Sequence, residues 1–479
     1  MAAVSGGAGH RFHSTILREY DVRGIVGETL FAADAFALGR AFATQVRAAG
    51  GRRVCVGRDG RLSSPELADA VSEGLCASGV DVQWIGLGPT PMLYFAVHEL
   101  DTDGGIQITG SHNPPTHNGF KMMLGKKSFF GASIQELGRI AAAGRYTDGH
   151  GRRTEARVFD AYVDRLLRDF PGRLAGLGSK ESDKSAPREL SVVWDAGNGA
   201  AGDVLSALTE RLPGRHQLLF AEIDGRFPNH HPDPTVDENL EDLMAAVAAG
   251  GAEVGIAFDG DGDRIGVIDG RGRIVRGDQL LQILAAEVLE RHPGAPIIAD
   301  VKASQALYDE IARLGGQPIM WKTGHSLIKA EMAERGAPLA GEMSGHIFYA
   351  DGFYGHDDAL YVAIRLLGIL ARGDATLADW RDRMAPLVNT PEIRFDCPDE
   401  RKFAVIDQIR RRLEAEGARV NGIDGVRVST DDGWWLLRAS NTQAVLVARA
   451  EASDEAGLAR LKQQIRRHLE AAGIEPPRF

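Results

Sequence analysis

The spacing of apolar residues divides most of the chain into short strands and amphipathic helices that recur in one order. The segment from Asp34 to Ala49, closed by Gly50 and Gly51, predicts a helix. It is followed by strand Val54 to Val56, helix Pro65 to Ala77, strand Val80 to Ile85 and strand Ile106 to Ile108. The plan returns as strand Leu190 to Trp194, a glycine loop, a helix from Asp203, strand Leu218 to Ile223, a helix from Asp237 and strand Val254 to Phe258. A third pass gives strand Ile297 to Ala299, helix Ser304 to Leu314, strand Pro318 to Trp321 and helix Ser326 to Arg335. Each pass ends in a polar loop: Thr109 to Pro115, Asp259 to Arg264, and Gly341 to His346.

Strands alternating with helices predict mixed or parallel sheets whose ligands gather beyond strand ends, so three such loops can meet in one cleft. After about Pro386 the order changes to helix Glu400 to Ala415, strand-like Val426 to Ser429 and Gly433 to Arg438, strand Ala444 to Ala448, and helix Asp454 to Ala472. The expected architecture is therefore α/β, three similar units plus a smaller C-terminal α+β unit. The Gly-, Ser- and Lys-containing stretch Gly172 to Arg188 reads as a surface insertion.

Composition narrows the partners. With 479 residues, 44% apolar and 25% charged, the chain is ordinary globular protein. Its formal charge of -11 argues against nucleic-acid and anionic-membrane roles, so any phosphate site must be built from specific residues. Cys55, Cys76 and Cys397 show neither a disulfide framework nor zinc spacing, which fits a reducing cytoplasm. Met1 to Ser14 lacks a basic segment followed by an apolar core, and no run of about 18 apolar residues occurs, so a soluble cytoplasmic protein is expected.

The densest chemistry is Asp259-Gly260-Asp261-Gly262-Asp263-Arg264, three carboxylates at alternate positions with only glycine between them. Like charges so close call for a cation, and oxygen ligands point to magnesium. A calcium EF-hand fails at its sixth position, Arg264 instead of glycine, and at its twelfth, Gly270 instead of glutamate. Ser111 follows a strand and a glycine and precedes Asn113-Pro114-Pro115, which forbids helix and exposes the hydroxyl. The Ser111-His112 pair suggests an acyl hydrolase, but the G-x-S-x-G elbow is absent. Glu342 and Ser344 would face the same way on an extended backbone, an arrangement suited to sugar hydroxyls. Arg438-Ala439-Ser440-Asn441-Thr442 has the composition of a phosphate cradle. Gly197 to Gly202 matches the dinucleotide fingerprint, with Glu222 downstream, yet its unit delivers the aspartate triplet. These glycines read as tight-turn formers.

The four loops, in this order and at these spacings, resemble the α-D-phosphohexomutases, specifically the bacterial phosphomannomutase/phosphoglucomutase branch, over nearly the whole chain. Tyr20 to Gly24, Asn118 to Lys121 and Trp321 to Ser326 extend the match. The resemblance implies four domains around a deep cleft, with expected boundaries at 1–157, 158–273, 274–385 and 386–479. It implies that Ser111 is carried as phosphoserine and that its phosphate, with Asp259, Asp261 and Asp263, binds magnesium. The implied reaction interconverts hexose 1-phosphate and hexose 6-phosphate of mannose or glucose through a 1,6-bisphosphate. Glucose or mannose 1,6-bisphosphate would then act as activator. Such transfer is chiefly positioning and charge neutralisation.

By the same resemblance, Glu342, Met343, Ser344, Gly345 and His346 form the sugar loop. Arg438, Ala439, Ser440, Asn441 and Thr442 hold the phosphate that is not reacting. Tyr20, Arg23, Arg264 and Lys302 complete the binding set, and His112, Lys121 and His325 share general acid/base work. Met343 favours the mannose/glucose branch over the glucosamine branch, where glutamine is expected. The alternatives are a phosphoglucosamine mutase, a phosphatase, and a sugar-phosphate-binding protein without turnover, against which the retained Ser111 and aspartates speak. Ala439 stands where the branch usually has proline, which predicts a looser cradle. A monomer acting on small-molecule hexose phosphates is the expected state.

Overall fold

The computed structural model describes residues 4–6, 8–170, 187–441 and 443–478. Thr442 and nearly all of the predicted insertion at 172–188 lie outside the described residues.

Central strands such as Gly104–Ile108 and Val254–Phe258 are buried along their whole length, because helices cover both faces of a parallel sheet. Three sheets share one strand order. The second unit runs Gly214–Leu219, Leu190–Asp195, Val254–Phe258, Ile265–Asp269, Ile274–Val275. The third runs Gln317–Trp321, Pro296–Asp300, Leu339–Gly341, Ile347–Tyr349, His356–Asp357. The first repeats the pattern as Asp81–Leu87, Arg53–Arg58, Gly104–Ile108, His117–Leu124, with Arg153–Glu155 and Val22–Ile25 at its edges. In each, three strands are parallel and the fourth antiparallel. The loops of Ser111, of the aspartate triplet and of Glu342 are therefore equivalent turns, each from the third strand into the fourth.

The C-terminal unit is a six-stranded antiparallel sheet carrying helices Asp399–Ala415 and Glu455–Glu470. Trp434 and Leu436 turn from that sheet towards Val301 of the third unit. The buried Arg427 guanidinium lies 3.6 Å over the Trp434 ring and donates to the carbonyls of Val301 at 2.6 Å and Ala303 at 2.8 Å. A single apolar core containing Tyr94, Trp194, Phe258, Leu284 and Tyr361 joins the first three units. Among the described residues no helix is long and apolar enough to cross a membrane.

The structure departs from the expected elements in three places. The strand expected over 218–223 occupies Gly214–Leu219, because Phe220 takes φ +50° and ends it. The helix expected from Asp237 begins as a 3-10 turn, Asp237–Leu240, before Glu241–Gly250. Helices Thr90–Glu99 and Ala359–Arg372 are buried on nearly every side, so they lack the polar face that betrays a surface helix.

Asp358 caps Ala359–Arg372, accepting from the Tyr361 N–H at 2.9 Å and the Tyr162 hydroxyl at 2.8 Å. Burial nevertheless pushes its carboxyl up to about 7. The folded value exceeds that of the unfolded chain, so its stability contribution is full below about pH 4 and is lost as pH rises to about 7. Asp358→Asn keeps an acceptor for Tyr361 and is expected to flatten that part of the profile in urea melts between about pH 4 and about pH 8.

Candidate active site

Ser111 sits at the turn out of Gly104–Ile108 with φ +49°, a left-handed conformation that costs a serine of order 1 kcal/mol or more. Arg61, 1% exposed, holds it there. Its guanidinium donates to the carbonyls of Ser111 at 2.7 Å, Asn113 at 2.5 Å, Pro114 at 2.6 Å and His117 at 3.0 Å. Asp59 pairs with Arg61 at 3.2 Å and accepts the Gly110 N–H at 3.1 Å. Prolines therefore do not shape the loop alone. A lysine cannot fork to four carbonyls. Arg61→Lys is expected to lower kcat about tenfold or more and to speed amide exchange across 109–117, measured by mass spectrometry.

The Ser111 hydroxyl donates to Asp259 Oδ2 at 2.8 Å and lies 3.2 Å from His112 Nδ1. A Cβ on Gly260 would stand 2.4 Å from the Ser111 carbonyl oxygen, so glycine is what lets the two loops meet. Behind them, the Ala200 N–H donates to the Gly260 carbonyl at 2.9 Å. The glycine loop of the second unit thus props the aspartate loop.

Asp259, Asp261 and Asp263 are fully buried, with one oxygen of each within 4.8 Å of the others. Lys121 bonds to Asp261 at 2.7 Å and also to Asp263, and the Thr90 hydroxyl donates to Asp261. Burial, then Asp261 and Asp263, push the Asp259 carboxyl well above its usual range. Burial opposes the charge on Lys121, but Asp261 and Asp263 outweigh it and hold the ammonium above its ordinary value. One ammonium does not balance three carboxylates. Asp261 Oδ1 and Asp263 Oδ1 have no hydrogen-bond partner among the described residues, so the donor set fits a hard divalent cation.

The third loop is not extended. Gly345 at φ +88° closes a turn in which the Glu342 N–H donates to the His346 carbonyl at 2.8 Å and the Gly345 N–H to that of Glu342 at 3.0 Å. Strand alternation therefore does not align Glu342 with Ser344, contrary to expectation. Glu342 Oε1 accepts the Gly324 N–H at 2.7 Å, while Ser344 is half-buried beside it in the turn. The Met343 N–H reaches Asp300 Oδ1 at 3.3 Å, and its sulfur touches Arg449.

His346, only 4% exposed, accepts from Arg264 Nε at 2.9 Å and lies 3.0 Å from Asp357 Oδ2. It stacks on His325 at 5.3 Å, and His325 Nδ1 is 3.7 Å from the same Asp357 oxygen. His346 is thus a buried link between Arg264 and Asp357. Burial, then Arg264 and Arg23, hold His112 well below its usual pKa; burial, then Lys329, do the same for His325. Both rings are neutral near pH 7. Of the three acid/base candidates, His112 is placed against the Ser111 hydroxyl and Lys121 against the aspartates.

Arg438 donates to Asp424 at 3.0 Å, and Asp424 also accepts the Thr323 N–H at 3.0 Å. Asn441 donates to the Tyr20 hydroxyl at 2.6 Å, which donates to the Thr323 carbonyl at 3.0 Å. Burial pushes the Tyr20 phenol up to about 12, so these bonds are neutral. Lys302 bonds Glu392 at 2.9 Å, and Arg23 donates to the Gly110 carbonyl at 3.2 Å. Ala439 pairs with Leu446 and packs in the C-terminal core, so it offers the loop only its backbone. The Ser440 N–H to the Val445 carbonyl, at 3.0 Å, continues that pairing past Ala439. All four units are therefore joined at the cleft.

Models of phosphoglucomutase/phosphomannomutase alpha/beta/alpha domains I, II and III match residues 14–145, 161–272 and 276–387, and that of the C-terminal domain matches 392–468. The chain belongs to the phosphoglucomutase/phosphomannomutase family. The phosphomannomutase/phosphoglucomutase of Pseudomonas putida is 45% identical over 455 residues, 95% of each chain. The phosphoglucomutase of Neisseria gonorrhoeae is 42% identical over 460 residues, 95% of this chain and 97% of that one. A phosphoglucomutase/phosphomannomutase family protein from Burkholderia thailandensis has a crystal structure that superposes with a TM-score of 0.89 at 45% identity, covering 96% of this chain and 98% of that one.

Several residues that shape this phosphoglucomutase/phosphomannomutase site escape sequence reading. Arg61, Thr90, Asp357 and Asp424 touch it only through other side chains or through backbone. The available signal for the first was Asp59-Gly60-Arg61 directly after a strand.

Proposed function

We propose that the chain is a phosphomannomutase/phosphoglucomutase, an isomerase that interconverts the 1- and 6-phosphates of mannose and glucose by way of phosphoserine at Ser111. The observation that carries this reading is the Ser111 hydroxyl, held 2.8 Å from Asp259 within a fully buried carboxylate triad. Magnesium, with Asp259, Asp261, Asp263 and an oxygen on Ser111 as ligands, would neutralise charge on the transferring phosphoryl group. Arg61 fixes the approach of Ser111, and Lys121 contributes a permanent positive charge beside it. In the forward step the bond from phosphorus to Ser111 Oγ breaks as one forms to the free sugar hydroxyl, whose proton passes to a neighbouring base. His112, neutral and adjacent, is the proposed acceptor.

The resulting bisphosphate, glucose or mannose 1,6-bisphosphate, is also the activator that primes Ser111. Glu342 and Ser344 are proposed to hold sugar hydroxyls in either orientation. Arg438, Ser440, Asn441 and Thr442 are proposed to hold the distal phosphate, with Tyr20, Arg23, Arg264, Lys302 and His325 around them. A cytoplasmic monomer with domains divided near 157, 273 and 385 completes the reading. With magnesium and a trace of glucose 1,6-bisphosphate, the purified protein should isomerise mannose and glucose 1-phosphates. Activity on glucosamine phosphates alone would overturn the sugar assignment, and hydrolysis without isomerisation would overturn the mutase.

A further inference from the structure

A cavity of about 910 Å³ opens between the first and third units and is lined by none of Ser111, Asp259, Glu342 or Arg438. Its size is that of a small-molecule site. Helix Thr90–Glu99, the hairpin tip at 126–128, helix His325–Arg335 and residues 350–356 surround it.

One wall is aromatic. Tyr94, His98, Tyr354 and His356 line it, with ring centroids 4.8 Å apart for His98 and Tyr354 and 5.2 Å for Tyr94 and His356. The cavity is also lined by cationic groups, Lys126, Lys127 and Lys329, the last with its ammonium 4.7 Å over the Tyr94 ring. Lys126 is shared with exposed Asp101 at 2.9 Å. The acidic groups are exposed Glu334 and Asp351, the latter already bound by Arg291, by Arg365 at 3.1 Å and by His292 at 2.8 Å. Three ammonium groups in one pocket, on a chain of net charge -11, select an anion.

His356 narrows the ligand. It is 4% exposed, lines the cavity, and neither ring nitrogen has a hydrogen-bond partner among the described residues. The carboxylate of Asp358 stands 3.9 Å from Nε2, beyond hydrogen-bond reach. Burial, then His98, keep this imidazole neutral, so it presents one donor and one acceptor. The edge of a nucleobase carries donors beside acceptors and can pair with either ring nitrogen, while its flat face suits the aromatic wall.

We propose that this cavity is a second binding site, for a nucleoside phosphate, with the base on the Tyr94, His98, Tyr354 and His356 wall and the phosphates among Lys126, Lys127 and Lys329. Lys329 connects it to the cleft. Its ammonium lies 2.8 Å from Asp357 Oδ1, and the other oxygen of Asp357 faces His346 and His325. A phosphate that draws Lys329 off Asp357 changes the charge holding both rings, so occupancy alters turnover.

Calorimetric titration with ADP and GDP, in saturating glucose 6-phosphate, tests the site apart from the cleft. Saturable binding is expected, weakened about tenfold or more in Lys126→Glu/Lys127→Glu, whose exposed positions leave folding and basal turnover intact. Each nucleotide should change the turnover of the natural chain and not that of the double variant. His98→Ala should weaken nucleotides while leaving inorganic pyrophosphate, the weaker probe, unchanged. No saturable binding, displacement by glucose 6-phosphate, equal affinity for pyrophosphate, or full affinity in the double variant would each overturn the proposal.

Discussion

Ser111→Ala is expected to lower kcat for glucose 1-phosphate by about four orders of magnitude or more, since on the proposed phosphoserine route its loss leaves only positioning and charge to act. The substitution removes one hydroxyl and its bond to Asp259, so the fold should survive. Intact mass should show one phosphate on the natural chain after incubation with glucose 1,6-bisphosphate, and none on the variant. Because Arg61 grips backbone carbonyls and not the side chain, the variant loop should keep its shape and still bind sugar phosphate. Near-normal turnover by Ser111→Ala would exclude the phosphoserine route.

Lys121→Met should show the second large effect, this time on stability. It leaves Asp259, Asp261 and Asp263 buried without their ammonium, and breaking a buried pair in this way costs about 3–5 kcal/mol. A cation bound only by the folded state restores stability by mass action. Thermal melts with chelator and with saturating magnesium should therefore diverge far more for Lys121→Met than for the natural chain. An equal magnesium response in both would argue that Lys121 and the cation do not share the triad. In the natural chain, chelation should stop transfer while the four units stay folded.

What was legible in the sequence was whatever advertises itself locally. The strand Val254–Phe258 followed by alternating aspartates and glycines is readable because a fully buried strand is a run of apolar residues and a buried charge cluster is rare. The four-unit α/β plan was visible for the same reason. Hidden were the features that depend on distant partners. The buried helix Ala359–Arg372 shows no polar stripe, and Arg61 acts on carbonyls about fifty residues away in the chain. The turn at Gly345 broke an argument that assumed extended backbone. Nothing near His346 foretold its bond to Arg264, since that contact exists only when the second and third units dock.

The equivalence of the three turns carries an evolutionary consequence. One scaffold, present three times, offers the same corner in each unit, and on the proposed reading the corners differ in role, one as donor, one as cation seat and one as sugar grip. Because each corner lies outside the ladder of its own sheet, its residues can drift without unravelling the strands that present it. On that reading, sugar preference can change at the third corner while the first and second are inherited intact, so diversification of substrate need not reinvent the transfer step.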